Sequence, residues 1–226
     1  MTEKRKKIII TSGGTREYID SVRVMTNISS GKLGATIAEK FFYQGWDIIY
    51  IGTKNSILPM SQSMDGYKLI EVNTAVEAEQ AIKENVIDAD AIIHAMAVSD
   101  FGCRRDKNIK LKSHDINAFL EHLKKIMFIN PKILPKIKTW NPDVFLVSFK
   151  FEVGKTREEL LVIANDSMQN ANGDLVVAND KEEMIRSNAH IAHIIDRNGD
   201  ISSCESKQEI ANTLCNIIEE KVGSNE

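Results

Sequence analysis

The sequence predicts an α/β fold on a mostly parallel sheet, and three features of its 226 residues carry that prediction. Short apolar runs alternate with stretches of helical spacing. The runs are apolar throughout rather than at every second residue. An Asn198-Gly199 pair closes the last two of them. Strands apolar on both faces belong to a sheet covered by helices on both sides, and β-α alternation makes such a sheet parallel. The expected architecture is a Rossmann-like three-layer sandwich with right-handed crossovers, finished by a C-terminal antiparallel hairpin.

Each element follows from its local pattern. Ile8 to Thr11 reads as a buried strand, followed by a long polar, Gly-rich segment from Ser12 to Gly31. Ala35 to Tyr43 has helical character and Gly45 is a natural stop. Asp47 to Gly52 and Lys68 to Val72 are the next strands, Ala75 to Asn85 a helix, and Ala91 to Ala95 a fourth strand. Val144 to Phe149 is a fifth, Thr156 to Gln169 a helix, and Asp174 to Ala178 a sixth strand. Ile191 to Ile195 and Ile201 to Ser203 flank the Asn-Gly turn, and Lys207 to Lys221 is a last helix. Two segments break the alternation, Ser12 to Gly31 and Gly102 to Asp115. Stretches that long without structure are functional or mobile in compact proteins, so we expect one domain over 1–226 with a mobile loop at about 102–116.

Composition narrows the function. Twenty-nine Lys and Arg against 32 Asp and Glu give a net charge of −3, which argues against a nucleic-acid backbone as the main partner. No apolar run reaches the ~18 residues of a membrane span. The N-terminus MTEKRKKIII shows no secretory leader pattern, and Cys103, Cys204 and Cys215 are scattered without a CxxC. A cytoplasmic protein with free thiols is expected.

In open α/β sheets ligands sit at the carboxyl ends of strands. Gly13, Gly14 and Thr15 follow the first strand, where backbone amides can approach a phosphate, although a tight turn explains a Gly-Gly pair equally well. Asn27-Ile28-Ser29-Ser30-Gly31 leads straight into a helix, so hydroxyls and free N–H groups converge with the positive end of the helix dipole. One N-cap accounts for one serine, not the cluster, and anion binding is favoured. Ala97-Val98-Ser99-Asp100-Phe101 ends the fourth strand with a carboxylate placed for a ribose, a base amine or a metal ion, or merely for capping its loop. A basic run follows, Arg104, Arg105, Lys107, Lys110 and Lys112: a solvated loop, or one that closes over a triphosphate. Other patterns fail on context. His190 and His193, taken as one strand, point to opposite faces, and Tyr50 and Lys54 have Y-x-x-x-K spacing at a strand end rather than on a helix.

These loops resemble the phosphopantothenate–cysteine ligase (phosphopantothenoylcysteine synthetase) family of coenzyme A biosynthesis. The resemblance rests on Thr11 to Glu17, Ile19 to Arg23, Asn27 to Gly34, Ala97 to Phe101, Lys110 to Ser113, Asn130 to Ile133 and Asp174 to Asp180, in family order. The length resembles the stand-alone bacterial form. The resemblance implies a Mg²⁺-dependent reaction in which the carboxylate of 4'-phosphopantothenate attacks a nucleotide, CTP in bacterial members with ATP as the alternative. The acyl-cytidylate then yields to the amine of L-cysteine. It implies that Asn27 binds the intermediate and that Ser29, Ser30 and Gly31 hold the substrate phosphate. Ala97, Asp100, Asn130, Pro131, Lys132 and Ile133 would contact the nucleotide, with Phe149 near the base. Lys110, or its neighbours Lys107 and Lys112, would carry charge to the phosphates. Asn179 would bind the pantothenate arm, often across a homodimer interface.

The chain also departs from that pattern. Two lysines one turn apart on the helix before the sixth strand correspond to Asp166 and Asn170, and Ser148 and His94 replace smaller residues beside the nucleotide. Two rival readings follow: a nicotinamide-dependent oxidoreductase on the fold alone, and an inactive binding homologue motivated by the missing lysines.

Overall fold

A computed structural model describes residues 5–104, 110 and 115–223. In chain order the elements are β1 (Lys7–Ser12), β2 (Arg16–Tyr18), β3 (Val24–Thr26), α1 (Lys32–Tyr43), β4 (Asp47–Thr53), β5 (Tyr67–Val72), α2 (Ala75–Asn85), β6 (Ala91–His94) and β7 (Phe101–Cys103). There follow α3 (Ile116–Ile126), β8 (Met127–Ile129), α4 (Leu134–Trp140), β9 (Phe145–Glu152), α5 (Arg157–Asn170), β10 (Leu175–Asp180), α6 (Lys181–Ser187), β11 (Ala192–Asp196), β12 (Ile201–Cys204) and α7 (Lys207–Gly223).

Eight strands form one sheet in the order β12-β11-β10-β9-β6-β1-β4-β5. The six from β10 to β5 are mutually parallel, and β11 and β12 add the antiparallel hairpin. Side-chain alternation sorts the core into layers. Ile8 and Ile10 pack toward α1 and α7, with Ile37, Phe41, Leu214 and Ile218. Ile9 points the other way, toward Ala78 and Ile82 of α2 and Ile137 of α4. Val176 and Ala178 alternate with Leu175 and Val177 and meet Leu160, Ala164 and Met168 of α5 on that same second face. The helices cap their ends as their sequences suggest. Thr74 with Glu77 and Thr156 with Glu159 form reciprocal capping boxes at the starts of α2 and α5.

The chain runs outward from β1 to β4 and β5, then returns to lay β6 on the other side of β1. The strand order therefore reverses between β1 and β6, which makes their carboxyl ends the crevice where such sheets take ligands.

Four differences from the sequence reading concern short or exposed segments. The stretch from Ser12 to Gly31 is not featureless: β2 and β3 pair as a hairpin, Arg16 opposite Thr26. Of the expected loop at about 102–116, Phe101 to Cys103 pair with Met127 to Ile129. Asp115 caps α3 by accepting from the amides of Asn117 and Ala118. Arg105, Lys107 and Lys112 lie outside the described residues. The helices α3, α4 and α6 were not foreseen; α4 and α6 have seven residues each, and neither α3 nor α6 buries a single side chain. Among the described residues no helix is long and apolar enough to cross a membrane, and the three cysteines are free thiols.

Candidate functional site

Beyond the sheet the segments after β1 and β6 remain joined. The Ala97 amide donates to the Gly13 carbonyl (2.8 Å), Thr15 N–H donates to Ala97 O (3.1 Å), and the Ser99 amide donates to Thr15 Oγ1 (2.8 Å). Two cavities open beside this seam, one of about 260 Å³ and one of about 680 Å³, and they share Met96, Phe149, Lys150 and Phe151 as a common wall.

The larger cavity is built on the start of α1. Gly31, at φ 73°, precedes the helix, no side chain caps it, and no acid lies in the first turn. The first amides of α1 thus keep their positive ends for a ligand, with only Lys32 N–H turned to Ser30 Oγ at 3.3 Å. Glycine is needed here. A Cβ on Gly31 would sit 2.7 Å from Ser56 Cβ, and one on Gly34 2.4 Å from Ser12 Oγ, whose hydroxyl donates to Gly31 O at 3.0 Å. Asn27, Ser29, Ser30, Gly31, Ala97, Phe149 and Asn179 all line this space. Asn27 holds its place by donating Nδ2 to Val98 O (3.2 Å), and buried Asn179 donates Nδ2 to Ile191 O (2.5 Å). Sequence reading missed Lys32, Lys181, Lys207 and His190, which join Lys150 in the lining; no Asp or Glu is among the lining residues. Burial and then the nearby Lys207 charge lower the His190 pKa. Lysines without a facing carboxylate in the lining describe a site for a polyanion.

The smaller cavity lies on the α4 side. Asp100, Asn130, Pro131, Lys132, Ile133 and Phe149 line it together with His94. Lys132 Nζ donates to Asp100 Oδ1 at 2.5 Å, an exposed ion pair at its rim. Asn130 is buried, its amide donating to Asp100 O and its Nδ2 to Ser99 O, which holds the turn against β6.

Four sequence-predicted residues stand apart. Gly13, Gly14 and Thr15 line neither cavity. A Cβ on Gly14 would fall 2.4 Å from the Asn27 carbonyl oxygen, so this glycine makes room for the Asn27 backbone. Lys110 is exposed, with undescribed residues on both sides. The two positions that correspond to the family's helix lysines also lie apart from the cavities. α5 runs from the carboxyl end of β9 back to the amino end of β10, and Asp166 and Asn170 fall in its last five residues, exposed and outside both cavities. Their charge is not part of either lining. Tyr50 does not pair with Lys54 as in a dehydrogenase: it is fully buried, donates to Ile57 O, and burial pushes its hydroxyl up to about 12. His190 precedes β11 rather than lying on it, and His193 is buried against Ser203 and Glu183.

His94 carries a pH consequence. Burial lowers its pKa to about 4 from an ordinary 6.5. Between those values the unfolded chain takes up a proton that the folded chain refuses. Stability should therefore fall as pH drops from 6.5 toward 4 and level off below, by up to about 3 kcal/mol from this group. Denaturant melts across that window should show a shallower decline in His94→Gln; equal slopes would remove His94 as the cause.

Fold and site together define an α/β protein with a two-lobed, electropositive cleft at the reversal point of a parallel sheet. Residues 3–222 match the family model described as DNA/pantothenate metabolism flavoprotein C-terminal domain. The chain belongs to that family. It is 38% identical over 176 residues to the coenzyme A biosynthesis bifunctional protein CoaBC of Thermococcus kodakarensis, covering 77% of this chain and 41% of that one. It spans about half the length of the curated relatives it matches. The crystal structure of the DNA/pantothenate metabolism flavoprotein from Streptococcus pneumoniae superposes with a TM-score of 0.81 at 29% identity, covering 96% of this chain and all of that one. A Cab2 variant in complex with phosphopantothenate-cysteine shares the fold, with a TM-score of 0.71 at 18% identity over 97% of this chain and 87% of that one.

Proposed function

We propose that the chain joins 4'-phosphopantothenate to L-cysteine through an acyl-nucleotide, with CTP as the activating nucleotide. The observation that carries the reading is the pair of cavities sharing one wall, one basic and built on a helix start, the other lined by Asp100 and the Asn130 to Ile133 turn. Such a cleft suits two anionic substrates that must meet at one point.

In the first step a carboxylate oxygen of phosphopantothenate bonds to the α-phosphorus and the bond to the β-phosphate bridge breaks, releasing pyrophosphate. In the second the cysteine amine attacks the acyl carbon, nucleoside monophosphate leaves, and the ammonium proton goes to solvent. Bringing one anion onto another calls for fixed positive charge rather than a covalent nucleophile. Lys32, Lys181, Lys207 and the α1 amides supply it, Lys150 being paired with Glu152 at 3.0 Å, with Ser29, Ser30 and Gly31 seating the substrate phosphate. Asn27 orients the activated acyl group at the shared wall, and Phe149 separates base from pantetheine arm. Mg²⁺ on a nucleotide asks the protein for one or two carboxylates, not a cage. Asp100, the carboxylate of the smaller cavity, would hold the ion by the oxygen that its Lys132 pair leaves free. When bound, the ion screens the triphosphate charge.

The deciding assay is pyrophosphate release from CTP or ATP with phosphopantothenate, with and without cysteine. Cysteine-dependent release with CTP is expected; none with either nucleotide would overturn the reading. Lys110→Gln should lower turnover strongly while folding stays intact, and unchanged release would move the role to Lys107 or Lys112. We propose a homodimer, since exposed Ile28, Phe151 and Val153 ring the larger cavity; sedimentation as a monomer at micromolar concentration would refute it.

A further inference from the structure

Thr11, His94 and Ser148 lie side by side on β1, β6 and β9, one register line across the carboxyl edge of the three central strands. All three are buried, and only His94 among them lines the smaller cavity. Thr11 Oγ1 already accepts from the Met96 amide (3.2 Å), and its hydroxyl lies 2.9 Å from His94 Nδ1. A neutral ring carries one N–H, and taking the Thr11 hydroxyl as the donor to Nδ1 puts that N–H on Nε2. Burial keeps the ring neutral near pH 7. Nε2–H lies on the edge away from Thr11, with no hydrogen-bond partner among the described residues.

We propose that His94 is a specificity-determining residue of the nucleotide subsite, its Nε2–H donating to an acceptor on the nucleobase, a ring nitrogen or exocyclic oxygen such as a pyrimidine O2. A donor on the cavity lining penalises any occupant that covers it and leaves it unpaired, so it selects among bases while ignoring the phosphates. The inference rests on the nucleotide reading above and adds to it the atom that reads the base.

The test is calorimetric titration of the full chain with CTP, UTP, ATP and inorganic tripolyphosphate. His94→Ala should weaken the preferred nucleotide tenfold or more and leave tripolyphosphate unchanged, and His94→Gln, which keeps an N–H donor, should recover part of the loss. Thr11→Val, which frees the ring without removing it, should weaken the same nucleotide by a smaller factor and serves if His94→Ala does not fold. In the wild type the ¹⁵N signal of His94 Nε2 should move with CTP and stay with tripolyphosphate. Equal weakening of CTP and tripolyphosphate in His94→Ala would make the residue structural and overturn the proposal. Unchanged CTP affinity would do the same and leave the ligase reading standing. A wild type that binds tripolyphosphate and no nucleotide would overturn both.

Discussion

Asn27→Ala is expected to lower amide formation by about 10²–10³-fold, the range seen when one donor at a developing charge is removed. The side chain is exposed, lines the larger cavity close to its shared wall, and makes one described contact, Nδ2 to Val98 O. Truncation there leaves no buried polar group unpaired, so stability should change by no more than about 0.5 kcal/mol. Activity loss without destabilisation is the signature to look for. Single-turnover assays with CTP and phosphopantothenate should separate the steps, because a residue that orients the acyl-nucleotide affects its consumption by cysteine more than pyrophosphate release. Wild-type amide formation by Asn27→Ala would remove the residue from the mechanism.

The parallel core was legible because burial on both faces leaves unbroken apolar runs. Ile8-Ile9-Ile10 and Ala91-Ile92-Ile93 are fully buried, as their sequence suggests. The helix start at Gly31 was legible too, since Asn27 to Gly31 runs directly into a stretch of helical spacing. What the sequence hid was anything decided by distant packing. Lys181, Lys207 and His190 enter the larger cavity from the C-terminal third of the chain, and no local pattern marks them. The three-residue strands of the small hairpins lack enough length to show a period. Asp166 and Asn170, which the family resemblance sets at the helix-lysine positions, lie where the return path of α5 brings the chain to the amino edge of the sheet. His94 was visible only as an oddity, and its meaning depends on Thr11, 83 residues away.

Gly13 decides between two uses of one glycine. Read from sequence it lets amides approach a phosphate; in the fold its φ is +86°, and a Cβ would stand 2.2 Å from Thr53 Oγ1 and 2.9 Å from Ser56 Cβ. Left-handed backbone costs a non-glycine residue about 1–2 kcal/mol, and overpacking adds roughly 1–3. Gly13→Ala should therefore destabilise by about 2–5 kcal/mol, a large share of the roughly 5–15 that a folded domain has. Thr53→Ala removes the nearest obstruction and leaves Ser56, so the double variant should be more stable than the sum of the single losses predicts, by about 1 kcal/mol or more. Because Gly13 lines neither cavity, folded Gly13→Ala should keep its affinity for tripolyphosphate. A variant as stable as wild type that no longer binds phosphate would reverse the assignment, making the glycine a ligand contact rather than a packing necessity.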